Sequence, residues 1–292
     1  MILKRLLKPL ANLAIGIASC SWTRRAARRA LRPFELKNDL GLTVGADRIY
    51  VNSLNRLAAA LIWKHSLVDG LEEKLYRDRV KPGMTVLEIG ANIGFFTLLF
   101  SRLAGDAGRV TAFEPDPGNF RLLQKNIAAN GRKNITCVQK AVAARTGPGR
   151  LFISEENYGD HRIFDAEEGR GSLEIETTAI DDLPGPAGAV DFIKMDIQGA
   201  EYSALLGMEA TIRRSPRLAM VSEFSPFLLR RAGAEPAAFL QKLKDLEFTL
   251  NLIDEENGRV IPCGAPELLA RCKGEDYLNL FLEKPVRDSS GA

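Results

Sequence analysis

Histidine is scarce, paired cysteine is missing, and no long apolar run is present. Only two histidines, His65 and His161, occur in 292 residues. The four cysteines, Cys20, Cys137, Cys263 and Cys272, are scattered without a C-x-x-C pair. That spacing indicates neither a zinc site nor a disulfide framework, and makes a reducing compartment the default. The most apolar stretch, residues 10–20, falls well short of the roughly 20 residues that span a bilayer. A multi-pass membrane protein is therefore excluded. There is no internal repeat and no low-complexity tract. With 46% apolar and 26% charged residues, neither wholesale disorder nor a collagen-like chain fits. What remains is an ordinary globular composition. At roughly 150 residues per domain it makes one or two domains, with a full core that needs no disulfide or metal staple.

Acid is also absent from one region. Residues 1–34 contain Lys4, Arg5, Lys8, Arg24, Arg25, Arg28, Arg29 and Arg32 and no Asp or Glu. The net charge of +3 therefore hides a body of 32 basic against 37 acidic residues, a balance of −5. That body has no broad electrostatic footprint for nucleic acid. The arm has three readings. The spacing in TRRAARRALRPF sets arginines on one helical face and Ala26, Ala27, Ala30 and Leu31 on the other, as in membrane-surface helices. A basic start followed by an apolar stretch fits a signal peptide loosely, but Lys8 and Pro9 interrupt it and the later arginines oppose export. The third reading is a solvated helix packed on the main domain.

Beyond the arm (1–40), helical spacing in LNRLAAALIWKHSLVDGLEEKLY predicts a helical lead-in over 41–79. His65 in that segment reads as structural. From Val80-Lys81-Pro82-Gly83 onward the pattern changes. Strands are expected at Met84–Ile89, Arg109–Phe113 and Ile135–Gln139. Helices are expected at Phe95–Leu103 and Asn119–Asn130, the latter ended by Gly131. Such alternation implies right-handed crossovers and a parallel sheet. Residues 141–182 break the rhythm, with strands Leu151–Ser154 and Ser172–Thr178 flanking a polar loop, and read as a hairpin-like insertion. Alternation resumes with strands at Val190–Asp196, Arg217–Glu223, Phe248–Ile253 and Tyr277–Leu282, and helices from about Ala200 and over Pro236–Leu246. Residues 286–292 read as a disordered tail.

Three motifs carry chemistry. The first is V-L-E-I-G-A-N-I-G-F-F-T, residues 86–97, a glycine-rich turn between a strand and a helix. Such a turn brings a ligand close to the helix N-terminus. A dinucleotide loop would be G-x-G-x-x-G, with glycine where Asn92 stands. Glu88 also repels phosphate and favours a cation. The ammonium and sulfonium of S-adenosylmethionine suit this site better than a pyrophosphate. The second motif is A-F-E-P-D-P, in which Glu114 ends the second strand and is placed to accept both ribose hydroxyls of an adenosine. The third is D-F-I-K-M-D-I-Q-G-A-E, residues 191–201. Asp196 ends the fourth strand at the switch point, where ligands bind in open α/β sheets. Lys194 lies on the same strand face, either as a partner for a carboxylate or as a functional group. Glu201 suits the first turn of the next helix.

On these residues the sequence resembles the FkbM-type S-adenosylmethionine-dependent methyltransferases, of class I architecture. The resemblance is carried by L-E-I-G-A-N-I-G-F-F-T, by A-F-E-P-D-P-G-N-F-R-L-L-Q-K-N-I-A-A-N, by D-F-I-K-M-D-I-Q-G-A-E, and by S-E-F-S-P at 222–226. It covers residues 80–285. It implies an α/β Rossmann-like fold, with a seven-stranded, mostly parallel sheet whose last strand is antiparallel. The N-terminal helical extension and the β-hairpin insertion are additions to that fold. It also implies cofactor contacts at Glu88, Gly90, Ala91, Asn92 and Gly94, Glu114 on the ribose, and the backbone near Ala141 beside the adenine. The family often carries Asp at the place of Glu88 and Glu at the place of Gln198; the second change removes a carboxylate here.

The expected reaction is O-methylation of a sugar hydroxyl on a glycan, glycolipid or secondary metabolite, in the cytoplasm, with the arm in peripheral contact with a membrane. An alcohol acceptor must lose a proton, so a general base is expected. His161 in N-Y-G-D-H-R-I-F, oriented by Asp160 and folded over the cofactor mouth, is the leading candidate. Asp196 and Glu223 are the alternatives. No metal site is expected. A non-catalytic module that keeps the fold is the competing reading. A nicotinamide oxidoreductase lacks its second glycine, and a nucleic-acid methyltransferase lacks an N-P-P-Y-like motif where M-D-I-Q stands.

Overall fold

The computed structural model describes residues 39–51, 70–154, 159–165, 169–183 and 189–285. Residues 1–38 of the arm (1–40), residues 52–69 of the lead-in with His65, and the tail (286–292) lie outside the described residues. The chain divides into two compact units, Met1–Gly70 and Leu71–Ala292.

In the first unit, β1 (Leu40–Val44) and β2 (Asp47–Val51) form an antiparallel hairpin. Val44 pairs with Asp47, so the loop is the two residues Gly45 and Ala46. Gly45 has φ +59, the backbone that the first loop position of a type II′ turn requires. This hairpin corrects part of the helical lead-in expected over 41–79. Leu40, Leu42 and Val44 alternate, and that period of two outranks the helical spacing read across the longer window. The lead-in is helical over α1 (Leu71–Arg79), which opens the second unit.

The second unit is an eight-stranded sheet. In chain order its strands are β3 (Thr85–Ile89), β4 (Arg109–Phe113), β5 (Ile135–Val138), β9 (Phe192–Met195), β10 (Ala219–Phe224), β11 (Thr249–Asp254), β12 (Arg259–Pro262) and β13 (Leu278–Glu283). Across the sheet they run β12-β11-β13-β10-β9-β3-β4-β5. Strands β5, β4, β3, β9 and β10 are mutually parallel, and β13 is antiparallel to both neighbours, β10 and β11. The seven expected strands are thus in place with the last reversed, and β12 adds an eighth at the edge. The insertion is a second sheet of β6 (Ala141–Val142), β7 (Gly147–Phe152) and β8 (Ser172–Thr178), in the order β6-β8-β7.

Helices α2 (Phe95–Ala104), α3 (Pro117–Ala129), α4 (Glu201–Leu206), α5 (Glu209–Arg213), α6 (Pro226–Arg231), α7 (Pro236–Asp245) and α8 (Ala265–Arg271) complete the unit. Helices α3, α6 and α7 begin on proline, whose fixed φ and missing N–H suit the first helical position. Asp116 caps α3 by accepting from the Asn119 N–H at 2.7 Å.

The two faces of the sheet differ. Leu87, Ile89, Ile193, Met195, Met220, Phe224 and Leu280 point to one face and join Leu205, Met208, Phe239 and Leu243 in the larger core. On the other face Val86, Phe192, Val221 and Phe281 pack with Tyr76 of α1 and Phe100 of α2. Tyr76 meets the rings of Phe96, Phe100 and Phe192 at 5.2, 5.0 and 5.7 Å. This second face is apolar only toward the N-terminal ends of its parallel strands. Toward their C-terminal ends its next residues are Glu88, Lys194 and Glu223, because side chains alternate with a period of two.

Candidate active site

The loop after β3 is tied to the end of β4. The Gly90 and Ala91 amides donate to the Phe113 carbonyl at 3.0 and 2.9 Å, and the Asn92 amide donates to Glu114 Oε2 at 2.8 Å. Ile93 N–H meets Asn92 Oδ1 at 2.8 Å, and Gly94 N–H meets the Ala91 carbonyl at 2.9 Å. These amides are spent within the loop and its neighbour, so they form no phosphate cradle of the kind helix N-termini offer. That is the structural counterpart of the missing second glycine. Gly90 stands at φ +88, and a Cβ there would lie 2.1 Å from the Asp196 carbonyl oxygen. The glycine lets the end of β9 close onto the loop.

Two buried carboxyls support this corner. Glu114 accepts from Asn92 N–H through Oε2, and from Asp116 N–H at 3.0 Å through Oε1. Asn119 Nδ2 adds a third, longer contact to Oε1 at 3.4 Å, and since a carboxylate has about four lone-pair sites, one remains for a ribose hydroxyl. Burial pushes Glu114 up to about 7, against the pull of those two amides. Glu88 accepts from the Thr97 hydroxyl of α2, and is also pushed up to about 7, by burial, with Lys194 opposing. At 1% exposure its side chain braces the floor of the loop. The acid pair and the spent amides fit a ligand that carries positive charge and a ribose. Ala141 is buried at the start of β6, just past the end of β5.

The second cluster lies at the ends of β9 and β10. Lys194 pairs with Glu88 on β3 and Val221 on β10 in register, and Asp196 follows on the same face. Lys194 Nζ is 3.4 Å from Asp196 Oδ2 and 5.1 Å from the centre of the Phe96 ring. Burial acts to lower the Lys194 pKa, but Asp196, Glu72 and Glu88 outweigh it and hold it above its ordinary value. Gln198, at φ +55, donates from Nε2 to Asp196 Oδ1 at 2.9 Å and lies 3.4 Å from each Glu223 oxygen. Burial, then the charges of Asp196 and Glu201, drive Glu223 well above the usual carboxylate range. Glu201 folds back to accept from the Ile197 amide at 3.1 Å and steadies the Gln198 turn. Burial pushes it up to about 7.

Other site residues come from distant parts of the chain. Glu72 of α1 accepts from the Tyr76 hydroxyl and, at 3.0 Å, from Asn279 Nδ2 of β13. The α1 N-terminus is fixed by Glu255, which accepts from the Leu71 and Glu72 amides at 2.9 and 2.8 Å. In sequence Glu72 reads only as an acid suited to a first helical turn.

His161 has a different setting from the expected one. Its Nδ1 accepts from the Ser154 amide at 3.0 Å, and Nε2 lies 4.0 Å from Asp116 Oδ2. Nδ1 is therefore the acceptor nitrogen and Nε2 carries the proton, so the ring offers no lone pair to an acceptor hydroxyl. Asp160 does not orient it: its carboxylate takes Arg162 Nε at 2.9 Å and Arg170 Nη2 at 2.7 Å. His161 locks the insertion to the start of α3, while the groups gathered at the switch point are Asp196 and Glu223. Away from the switch point, the insertion and the segments that follow β4 and β5 line an open cleft of about 940 Å³, with Pro115, Lys140, Arg150 and Glu174 among its residues. Among the described residues no group of three or more His, Cys, Asp or Glu could hold a metal ion. Nor is any helix there long and apolar enough to cross a membrane.

Residues 88–250 match the family described as Methyltransferase FkbM domain. The chain is 23% identical over 219 residues to methyltransferase sdnD of Sordaria araneosa, spanning 64% of this chain and 83% of that protein. It is 27% identical over 154 residues to the 2-O-methyltransferase NoeI of Sinorhizobium fredii, spanning 46% of this chain and 61% of that one. A solved SAM-dependent O-methyltransferase from Thermotoga maritima aligns with a TM-score of 0.43 at 13% identity, covering 87% of this chain and 79% of that chain.

Proposed function

Given that the chain belongs to the FkbM-domain methyltransferase family, with S-adenosyl-L-methionine as its cofactor, we propose that it methylates a hydroxyl of a sugar-containing acceptor and that Asp196 is the base. The observation that carries this reading is the pair Asp196 and Glu223, joined through Gln198 at the switch point. Glu114, the loop from Gly90 to Gly94 and the backbone near Ala141 would hold the cofactor. When bound, it supplies an electrophilic methyl on sulfur.

The remaining work falls to side chains. Two neighbouring carboxyls in different surroundings, one buried and one open to the acceptor, divide the work. Glu223 is buried and held toward the protonated form. The Asp196 side chain is 44% exposed and has the Lys194 ammonium at 3.4 Å. Asp196 takes the acceptor proton, with Lys194 holding its carboxyl group in place at 3.4 Å. Glu223 and Gln198 hold neighbouring hydroxyls. Holding acceptor and methyl in line supplies much of the rate.

Oxygen as the acceptor atom is supported by the name of the 2-O-methyltransferase NoeI. The sugar class is supported by a rim of carboxyl and amide groups suited to hydroxyls. Free thiols at Cys137, Cys263 and Cys272 agree with a reducing cytoplasmic setting, and the basic arm suits an acceptor at a membrane surface. Transfer of labelled methyl to glycan and glycolipid fractions tests the reading. Asp196→Asn should lower kcat by roughly 10²- to 10⁴-fold, the range for a lost general base, with S-adenosylhomocysteine affinity unchanged. Full turnover in that variant removes Asp196 from the reaction.

A further inference from the structure

Tyr277 is 59% exposed, an unusual state for a large ring in this fold. It immediately precedes β13, where Leu278 pairs with Phe224 and Asn279 with Glu223. Side chains two apart on a strand share a face, so if the extended backbone of β13 runs one residue back past Leu278, the Tyr277 ring falls on the face of Asn279 and Glu223, one step further out. Asn279 confirms the direction of that face by reaching Glu72 at 3.0 Å. Partial burial and the charges of Glu223, Asp196 and Glu72 raise the Tyr277 phenol above its ordinary pKa, which agrees with a ring at the mouth of the carboxyl cluster.

The chemistry of this mouth is specific. Ligand sites combine an apolar or aromatic wall with a few placed polar groups. Here one exposed aromatic ring adjoins the strand end at which Asn279 pairs with Glu223, and it feels the charges of Glu223 and Asp196. An anionic acceptor would find acidic side chains at this rim, with the Lys194 cation already paired to Asp196. A purely aromatic or alkyl acceptor would cover the ring but take the polar edge out of water without adding a hydrogen bond to it, which costs free energy. A pyranose has an apolar C–H face and an edge of neutral hydroxyls, and it satisfies both parts. We infer that Tyr277 is the platform of the acceptor subsite: a pyranose lies face-down on its ring, neighbouring hydroxyls meet Gln198 and Glu223, and the reacting hydroxyl reaches Asp196. This rests on the sugar O-methylation reading and adds the residue that selects a neutral sugar ring.

The test uses the full-length protein, labelled S-adenosylmethionine and a panel of neutral methyl glycosides of hexoses and 6-deoxyhexoses. Truncating a contacting aromatic costs on the order of tenfold in affinity. Tyr277→Ala should therefore raise KM for the preferred glycoside about tenfold or more, with kcat at saturation near wild type and S-adenosylhomocysteine affinity unchanged. Tyr277→Phe and Tyr277→Trp should stay near wild type, which a hydroxyl-based role for Tyr277 would not allow. If the wild type methylates glycosides and Tyr277→Ala keeps its KM, the platform is refuted while the O-methylation reading stands. If the wild type binds S-adenosylhomocysteine but methylates no glycoside, the sugar reading fails and the platform fails with it.

Discussion

Replacing Gly90 by Ala tests how the cofactor loop and the switch point are joined. Two costs act together at this position. The backbone sits at φ +88, where a side chain costs about 1–2 kcal/mol, partly offset by the lower entropy of an unfolded Ala. A Cβ would also lie 2.1 Å from the Asp196 carbonyl oxygen, and such overpacking costs about 1–3 kcal/mol. Two other glycines separate the costs. Gly131 has φ +61 and open space around it, whereas Gly207 has an ordinary φ but would place its Cβ 2.0 Å from the Ala143 carbonyl oxygen. Gly131→Ala should therefore lose about 1 kcal/mol, Gly207→Ala about 1–3, and Gly90→Ala, which carries both costs at one residue, about 2–4. Urea unfolding of the three variants measures this. Only Gly90→Ala should also weaken S-adenosylhomocysteine binding, because relief of its clash moves the Asp196 backbone. If Gly90→Ala is no worse than Gly131→Ala, the close approach of β9 to the loop is wrong.

Three further predictions concern the buried charges and the insertion. Glu88 is raised from 4.5 to about 7, so the stability it contributes is complete below about pH 4.5 and is lost as pH rises through 7, a change of about 3 kcal/mol. Glu88→Gln lacks that titration, so the stability gap between wild type and variant should shift toward the variant between pH 5 and pH 8; parallel pH profiles in urea unfolding would contradict this. Lys194→Met leaves Asp196, Glu72 and Glu88 without their buried cation and should cost about 3–5 kcal/mol, with a loss under about 1 kcal/mol counting against the network. His161→Ala should keep turnover within a few-fold while losing about 1–3 kcal/mol, since the Ser154 amide loses its acceptor. Turnover lost on intact cofactor binding would restore His161 as the base.

The parts of this molecule that sequence reveals are those fixed by local pattern. Strand β4 matches its expected bounds, Arg109–Phe113, because a short apolar run lies between turn residues. Glu114 and Asp196 stand at strand ends where the alternation of elements puts them. The β1–β2 hairpin was hidden because two five-residue strands adjoin a segment rich in Leu and Ala that favours a helical reading. Strand β12 is four residues long and ends in Pro262, which suits an edge and gives little strand signal. The deepest part of the site was invisible for a different reason. Glu72 and Asn279 are 207 residues apart, and only the reversal of β13 beside β10 brings that pair, and Tyr277 with it, to the carboxyl cluster. His161 reads as a base in sequence because neutral imidazole suits proton transfer near pH 7; its contacts with the Ser154 amide and Asp116 come from segments that its own neighbours in sequence do not reveal.

The central claim is an adenosyl site at the ends of β3 and β4, and calorimetric titration with S-adenosylhomocysteine tests it most directly. Wild type should bind with micromolar affinity. Glu114→Ala should abolish that binding, while circular dichroism shows the fold retained. A well-folded wild type that does not bind, or a Glu114→Ala variant that binds as tightly as wild type, would contradict the account.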